Sequence, residues 1–125
     1  MIGRKLKISI LTLALTLLCT NVAFAFNWGS SGCYSNLRNQ IYQVYGYSVT
    51  STDIVCDEVE VYGELWRDGV CVAWDTDLRT QATWAQVDCW CSNPLGTQHY
   101  VMTGYHRAKD GIEEHETRSY YTRDW

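Results

Sequence analysis

The chain has 125 residues, with ten Lys and Arg against fourteen Asp and Glu, and 46% of its residues are hydrophobic. This length suits one small domain, and the hydrophobic content is typical of a folded chain. The acidic balance excludes nucleic acid as an expected partner, because phosphate binding requires a basic surface.

The start of the chain follows the pattern of a cleavable secretory signal peptide. Basic residues precede an apolar run at 8–18, and Ala23 and Ala25 stand at the two positions that a signal peptidase recognises. The apolar run is shorter than the roughly 20 residues that span a bilayer. We therefore predict a signal peptide at 1–25, a single exported domain at 26–125, and no membrane anchor after cleavage.

Cleavage makes the remaining domain more acidic. Three of the ten basic residues lie in the leader, so seven remain against fourteen acidic residues, a net charge of −7. Export predicts a secreted or periplasmic location. The charge allows a cationic protein partner, and it also helps to keep an exported domain in solution.

The first predicted element of the mature domain is a helix over 35–45. Ser35 is a suitable N-cap, and Leu37 and Val44 fall at helical spacing. Gly46 supplies the left-handed residue on which helices commonly end. The pattern predicts a helix that is apolar on one side.

Strands are predicted after this helix. From 58 to 65, valine and leucine alternate with glutamate, which indicates a half-buried strand. The Asp-Gly pair at 68–69 signals a two-residue hairpin turn. That turn pairs Leu65 with Val72, and it places Trp74 on the inner face with the valines.

A third strand is predicted near 80–91 and a last hairpin at 98–122, with a turn between them. The predicted fold is therefore α+β, with one N-terminal helix packed on an antiparallel sheet of about five strands. A helix laid across a curved sheet resembles the cystatin-like arrangement, by analogy of fold only.

Five cysteines remain after cleavage, and in an oxidising compartment they predict a disulfide-stabilised domain. They are Cys33, Cys56, Cys71, Cys89 and Cys91. An odd number allows at most two bridges within one chain and leaves one thiol unpaired. A bridge from Cys33 to Cys89 or Cys91 and a bridge from Cys56 to Cys71 are candidates, with the connectivity open. The spare thiol also allows a disulfide-linked homodimer.

Aromatic residues are the most unusual feature of the composition, with six Trp and nine Tyr. Strand alternation predicts an outward acidic and aromatic face made of Tyr62, Trp66, Trp84, Trp90, Glu60 and Glu64. Exposed aromatic rings with acidic neighbours suit a protein partner. We therefore predict a binding protein, and an inhibitor of a cationic enzyme or a toxin-neutralising protein fits the charge.

Two other functions stay open on the sequence alone. The tryptophans could stack on sugar rings, as in a carbohydrate-binding or adhesive module. The glutamates at 58, 60 and 64 could supply the carboxylate pair of a small secreted hydrolase, or the pair His106 and His115 could serve one instead. No catalytic residue is assigned, and no cofactor is predicted.

The last hairpin contains a weak candidate metal site. A two-residue Asp-Gly turn at 110–111 would place His106 opposite His115, with Glu113 on the same face. Two imidazoles and a carboxylate can hold zinc. A three-residue loop instead pairs His106 with Glu114, and then the site does not form.

Overall fold

The computed structural model describes residues 26–125, and these form five antiparallel strands without a helix. The strands are β1 (Tyr34–Asn39), β2 (Gln43–Arg67), β3 (Val70–Ser92), β4 (His99–Asp110) and β5 (Glu113–Asp124). Consequently, no helix capable of crossing a membrane occurs in this part of the chain.

Strand β2 organises the sheet because it is long enough to pair with three other strands. On one side it pairs with β3 from end to end. On its other side, β1 pairs with the first part of β2 and β4 pairs with the second part. Strand β5 extends the sheet beyond β4.

The long β2–β3 ribbon bends in its middle. Ser51 pairs with Trp84 and Cys56 pairs with Ala82, so four residues of β2 lie opposite one residue of β3. Extra residues of this kind bend a strand and increase its twist. The bend folds the ribbon onto itself, so that a Cβ atom added to Gly46 would lie 3.3 Å from Leu65 Cδ1. The result is a curled antiparallel half-barrel.

The core lies inside this curl. Its fully buried apolar side chains come from β2, β3 and β4 and include Val44, Val59, Val61, Leu65, Val87 and Met102. Each such side chain stabilises the fold by about 1.5–3 kcal/mol through removal of apolar surface from water. Phe26, before β1, is also buried and stacks on His115 with ring centroids 4.2 Å apart.

The predicted helix over 35–45 is wrong, and the α+β class and the cystatin-like analogy are wrong with it. This stretch contains β1, a turn and the start of β2. Leu37 and Val44 are buried, but they point inward from two paired strands. Ile41 lies between them in the turn, with a positive φ of 65° and 75% exposure. Leu37 and Val44 are seven positions apart, a spacing that fits one face of a helix as well as two strands joined by a turn. The pairing of β1 with β2 selects the strands.

The turn at 68–69 is confirmed, but the register predicted beyond it is wrong. Arg67 pairs with Val70, whereas Leu65 pairs with Ala73 because the register shifts between Leu65 and Trp66. This bulge reverses the direction of the following side chains. Trp74 therefore lies on the outer face, 64% exposed, rather than among the valines.

The prediction of a disulfide-stabilised domain is also wrong for residues 26–125. All five cysteines of this region have free thiols. Cys71 pairs with Trp66, ten positions along β2 from Cys56, so the suggested bridge between Cys56 and Cys71 is not formed. Burial raises the pKa of Cys33 and Cys89 to about 11. The predicted signal peptide at 1–25 lies outside the described residues.

Candidate functional site

A groove of about 690 Å³ crosses the outer face of β2, β4 and β5. Strand β2 contributes Tyr62, Glu64 and Trp66; β4 contributes Thr103, Gly104 and Tyr105; β5 contributes Glu116, Arg118, Ser119 and Tyr120. Aromatic rings and carboxylates form its walls. These side chains make the groove a candidate site for holding a ligand.

The sheet register explains why a groove forms here. Gly63, Gly104 and Ser119 lie side by side on three adjacent strands. Their positions point inward, so the backbone of this row forms the floor. The rows on either side point outward, with Tyr62 beside Tyr105 and Glu64 beside Thr103. A small-residue row between rows of large side chains leaves an open channel.

Two carboxylates in the groove interact with tyrosines. Burial, followed by hydrogen bonding to Glu64, raises the pKa of Tyr62. A hydrogen bond to Glu116, followed by burial, raises the pKa of Tyr105. Among residues 26–125, no ion pair includes Glu64 or Glu116. Both carboxylates can therefore accept a cation from a ligand.

One basic residue lies in the groove, and another lies just beyond it. The Arg118 guanidinium stands 5.7 Å from the ring centroid of Tyr105. Arg107 donates to Glu58 and Glu60, each at 2.8 Å, and these bonds raise its pKa. Glu58 and Glu60 are thus paired within the protein, which leaves them poorly placed to act as the carboxylate pair of a hydrolase.

The predicted binding face is divided between two surfaces. Tyr62, Glu64 and Trp66 lie together in the groove, and Glu60 borders it through its pair with Arg107. The other two residues, Trp84 and Trp90, lie on the half of β3 beyond the bend. The extra residues in β2 cause this separation, and alternation along a single regular strand could not have revealed them.

The groove also contains residues that the sequence did not single out. Tyr105, Glu116, Arg118 and Tyr120 come from the last hairpin. Their alternation along β4 and β5 is visible in the sequence. The pairing of β4 with β2, which brings them beside Tyr62, joins strands distant along the chain and has no local signal.

Trp90 belongs instead to an aromatic row on β1, β2 and β3. Trp90 stacks on Tyr45 at 4.4 Å, Tyr45 stacks on Tyr47 at 5.2 Å, and Tyr34 meets Tyr47 edge-on at 6.1 Å. The Tyr45 hydroxyl also donates to Asp88. Burial and this bond raise the pKa of Tyr45 to about 12. The rings of this row therefore cover part of one another's faces.

A buried hydrogen-bond network crosses the interior behind the groove. His106 has no exposed surface, and burial lowers its pKa to about 4. The Thr50 hydroxyl donates to the Glu60 carbonyl at 2.8 Å, so it accepts from His106 Nδ1, also at 2.8 Å. The neutral ring then accepts at Nε2 from the Ser119 hydroxyl, 2.6 Å away.

This network continues to β1. Ser119 Oγ lies 2.7 Å from Ser35 Oγ, and Ser35 Oγ lies 2.6 Å from Ser48 Oγ. Because Ser119 donates to the histidine, it accepts from Ser35. Ser35 in turn accepts from Ser48, whose single hydrogen is shared with the Thr103 carbonyl oxygen at 3.3 Å. The chain of hydroxyls thus joins β1 to β5, two strands that do not pair with each other in the sheet.

The structure brings two of the three candidate metal residues together, with His115 Nε2 3.5 Å from Glu113 Oε2, but it does not place His106 opposite His115 as predicted. Asp110 pairs with Glu113, so the turn lies one residue later than expected and His106 stands opposite Thr117. His115 stacks on Phe26 instead. No group of three metal-ligating side chains is found within residues 26–125.

Comparisons with known proteins add little to this description. No protein-family model matches the chain, and no curated protein matches it. One solved structure, described as a protein from Archaeoglobus fulgidus, is similar over 79% of this chain and 96% of that chain. The two are 7% identical, with a TM-score of 0.42, and this likeness carries no argument about function.

Proposed function

We propose that this chain is an exported binding protein that holds a cationic side chain of a protein partner in the groove. The observation that supports this most directly is the pair Glu64 and Glu116. Both carboxylates stand beside aromatic rings, and neither takes part in an ion pair within residues 26–125. A lysine or arginine from a partner would supply the missing cation.

The groove combines two attractions for such a side chain. A cation over an aromatic face gains about 0.5–2 kcal/mol, depending on how far water is excluded. A carboxylate at the same place adds a charge-assisted hydrogen bond. The net charge of −7 on residues 26–125 would also speed the approach of a basic partner.

Ring accessibility favours a protein over a carbohydrate. Stacking on sugar needs a free aromatic face, but Trp90 stacks on Tyr45, and the Arg79 guanidinium lies 4.1 Å from the ring centroid of Trp84. Each of these tryptophans has one face covered. A sugar could use only the other face of these rings or Trp66 in the groove, and a glycan response at Trp66 is one outcome of the test.

The test compares hexapeptides that carry a central arginine, lysine or norleucine. Calorimetry should detect binding of the two cationic peptides and no binding of the norleucine peptide. The double variant Glu64→Gln/Glu116→Gln should bind at least tenfold more weakly. Glu114→Gln, on the same strand outside the groove, is the matched control and should bind as the parent does.

Two results would overturn the proposal. The first is equal affinity for the arginine and norleucine peptides, which would mean that the positive charge of the peptide does not contribute to binding in the groove. The second is a change in tryptophan fluorescence with glycans, lost in Trp66→Ala, without a response to any cationic peptide. That result would favour the carbohydrate-binding alternative.

A further inference from the structure

In the part of the chain that the structure describes, one edge of strand β3 is not paired with another strand. The register shows which N–H and C=O groups of β3 point towards β2 and which point towards this free edge. The Asn93 N–H donates to the Tyr42 carbonyl at 2.9 Å, so the pair at 42 and 93 is hydrogen-bonded. Hydrogen-bonded and non-hydrogen-bonded pairs alternate in antiparallel strands. The register is unbroken from Gln43↔Ser92 to Ser51↔Trp84. Even-numbered residues from 84 to 92 therefore point their N–H and C=O groups away from β2.

A separate contact agrees with this assignment. The Gln86 N–H donates to Asp77 Oδ2 at 3.1 Å, on the side of β3 that β2 does not occupy. At the other end of the segment, Arg67 Nη1 donates to the Ser92 carbonyl at 3.0 Å. A side chain thus satisfies one outward main-chain group at each end of this edge.

The two residues between these caps are different. Asp88 and Trp90 point N–H and C=O groups outward, and β3 pairs with no strand other than β2 among the described residues. Neither lysine nor proline, which proteins commonly use to protect an edge, occurs in β3. In contrast, half of the twelve residues of β5, another outer strand, are charged. The edge at 86–92 is therefore capped at its ends and open in its middle.

We propose that this open edge at 86–92 binds an extended, basic segment of a partner protein as an additional strand. Main-chain hydrogen bonds to Asp88 and Trp90 would supply the pairing. Trp90, 46% exposed, would pack against an apolar side chain on the outer face of the added strand. This surface is distinct from the groove and does not depend on Glu64 or Glu116.

Charge selects the partner over a second copy of this chain. Strand β3 carries three aspartates and one arginine, and that arginine, Arg79, bonds to Asp77 at 2.8 Å. Two copies paired through this edge would bring aspartates together within a domain of net charge −7. A basic strand would instead place a cation near Asp88, whose carboxylate accepts from the Tyr45 hydroxyl and the Gln86 side-chain amide and forms no ion pair within residues 26–125.

The probe is a ten-residue peptide of alternating lysine and valine, with a second peptide N-methylated at every other residue. N-methylation keeps the charge but removes the hydrogen-bonding edge. The parent peptide should bind, and the methylated peptide should bind at least tenfold more weakly. Hydrogen exchange at the Asp88 and Trp90 amides should slow when the parent peptide is added.

A pair of variants tests the same point from the protein side. Asp88→Pro removes an outward N–H that β2 does not use, so the internal ladder stays intact. Asp88→Ala removes the same carboxylate but keeps the N–H, and it is the matched control. The parent peptide should bind Asp88→Pro at least tenfold more weakly than Asp88→Ala.

Equal binding of the two peptides to the unaltered protein would overturn the proposal, whether or not the proline variant folds. A dimer formed through protected Asp88 and Trp90 amides would also overturn it, in favour of a second copy. If Glu64→Gln/Glu116→Gln abolishes binding of the parent peptide while Asp88→Pro does not, the peptide occupies the groove. The edge proposal then fails, and the proposed function stands.

Discussion

His106 shows how one buried residue sets the behaviour of its surroundings. Its ring accepts from Ser119 at Nε2 and donates to Thr50 at Nδ1, an order that only the neutral ring allows. Burial lowers its pKa to about 4, against an ordinary value of 6.5. Protonation would place a second donor against Ser119 and reverse the chain of hydroxyls.

Stability should therefore fall as the pH drops through this range. The unfolded chain takes up a proton at His106 below pH 6.5, whereas the folded chain resists until about pH 4. The contribution of His106 to the free energy of unfolding should be greatest above pH 6.5 and should decline by about 3 kcal/mol towards pH 4. Below pH 4 this contribution should not change further.

Urea unfolding at a series of pH values checks this expectation. His106→Asn should lose most of the slope between pH 6.5 and pH 5. His99→Asn, at an exposed position, should keep it. An unchanged slope in His106→Asn would mean that another group is responsible.

Gly104 is a second residue whose size matters. A Cβ atom there would lie 2.7 Å from His106 Nε2 and 2.9 Å from Ser48 Oγ. Gly104→Ala should lower the free energy of unfolding by about 1–3 kcal/mol, because the buried network must move to make room. Thr103→Ala, on the neighbouring outward position, should cost less in the same denaturation measurement.

At the level of elements, the turns and bulges decide where side chains point. Asp68 and Gly69 both have positive φ, 50° and 80°, as a two-residue hairpin turn requires. The Asp68 carboxylate also accepts from the His99 N–H at 2.9 Å, which ties the turn to β4. This turn thus fixes the start of β3 and the start of β4 together.

Gly69→Ala should destabilise the protein by about 1–2 kcal/mol, since an L-residue is strained at this positive φ. A Cβ there meets no atom within 4 Å, so the cost is conformational rather than steric crowding. Chemical denaturation measures it. A loss much larger than this range would indicate that the register of the hairpin has changed as well.

The same elements show what the sequence could and could not predict. Alternation identified the strand at 58–65, and the Asp-Gly pair identified the turn after it. Alternation also placed Tyr62, Glu64 and Trp66 on one face, where they line the groove. The bulges have no comparable signal, and each one exchanges the two faces of the strand that follows.

At the scale of the whole molecule, residues 26–125 carry a net charge of −7, which acts on any basic partner of either proposed surface. Association with the cationic hexapeptides should slow as salt rises, because screening shortens the reach of the field from about 30 Å at 0.01 M to about 10 Å at 0.1 M. Stopped-flow measurements should show this effect mainly in the association rate. A rate that is independent of salt would show that steering contributes nothing.

If the chain is exported to an oxidising compartment as proposed, its five thiols have a consequence for how it reaches this fold. Thiolates react with oxidants, and burial in the finished half-barrel raises the pKa of every one of these cysteines. That protection exists only once the strands have assembled. In that compartment folding would compete with oxidation, and a variant that assembles slowly would be trapped in disulfide-linked forms that the native structure does not contain.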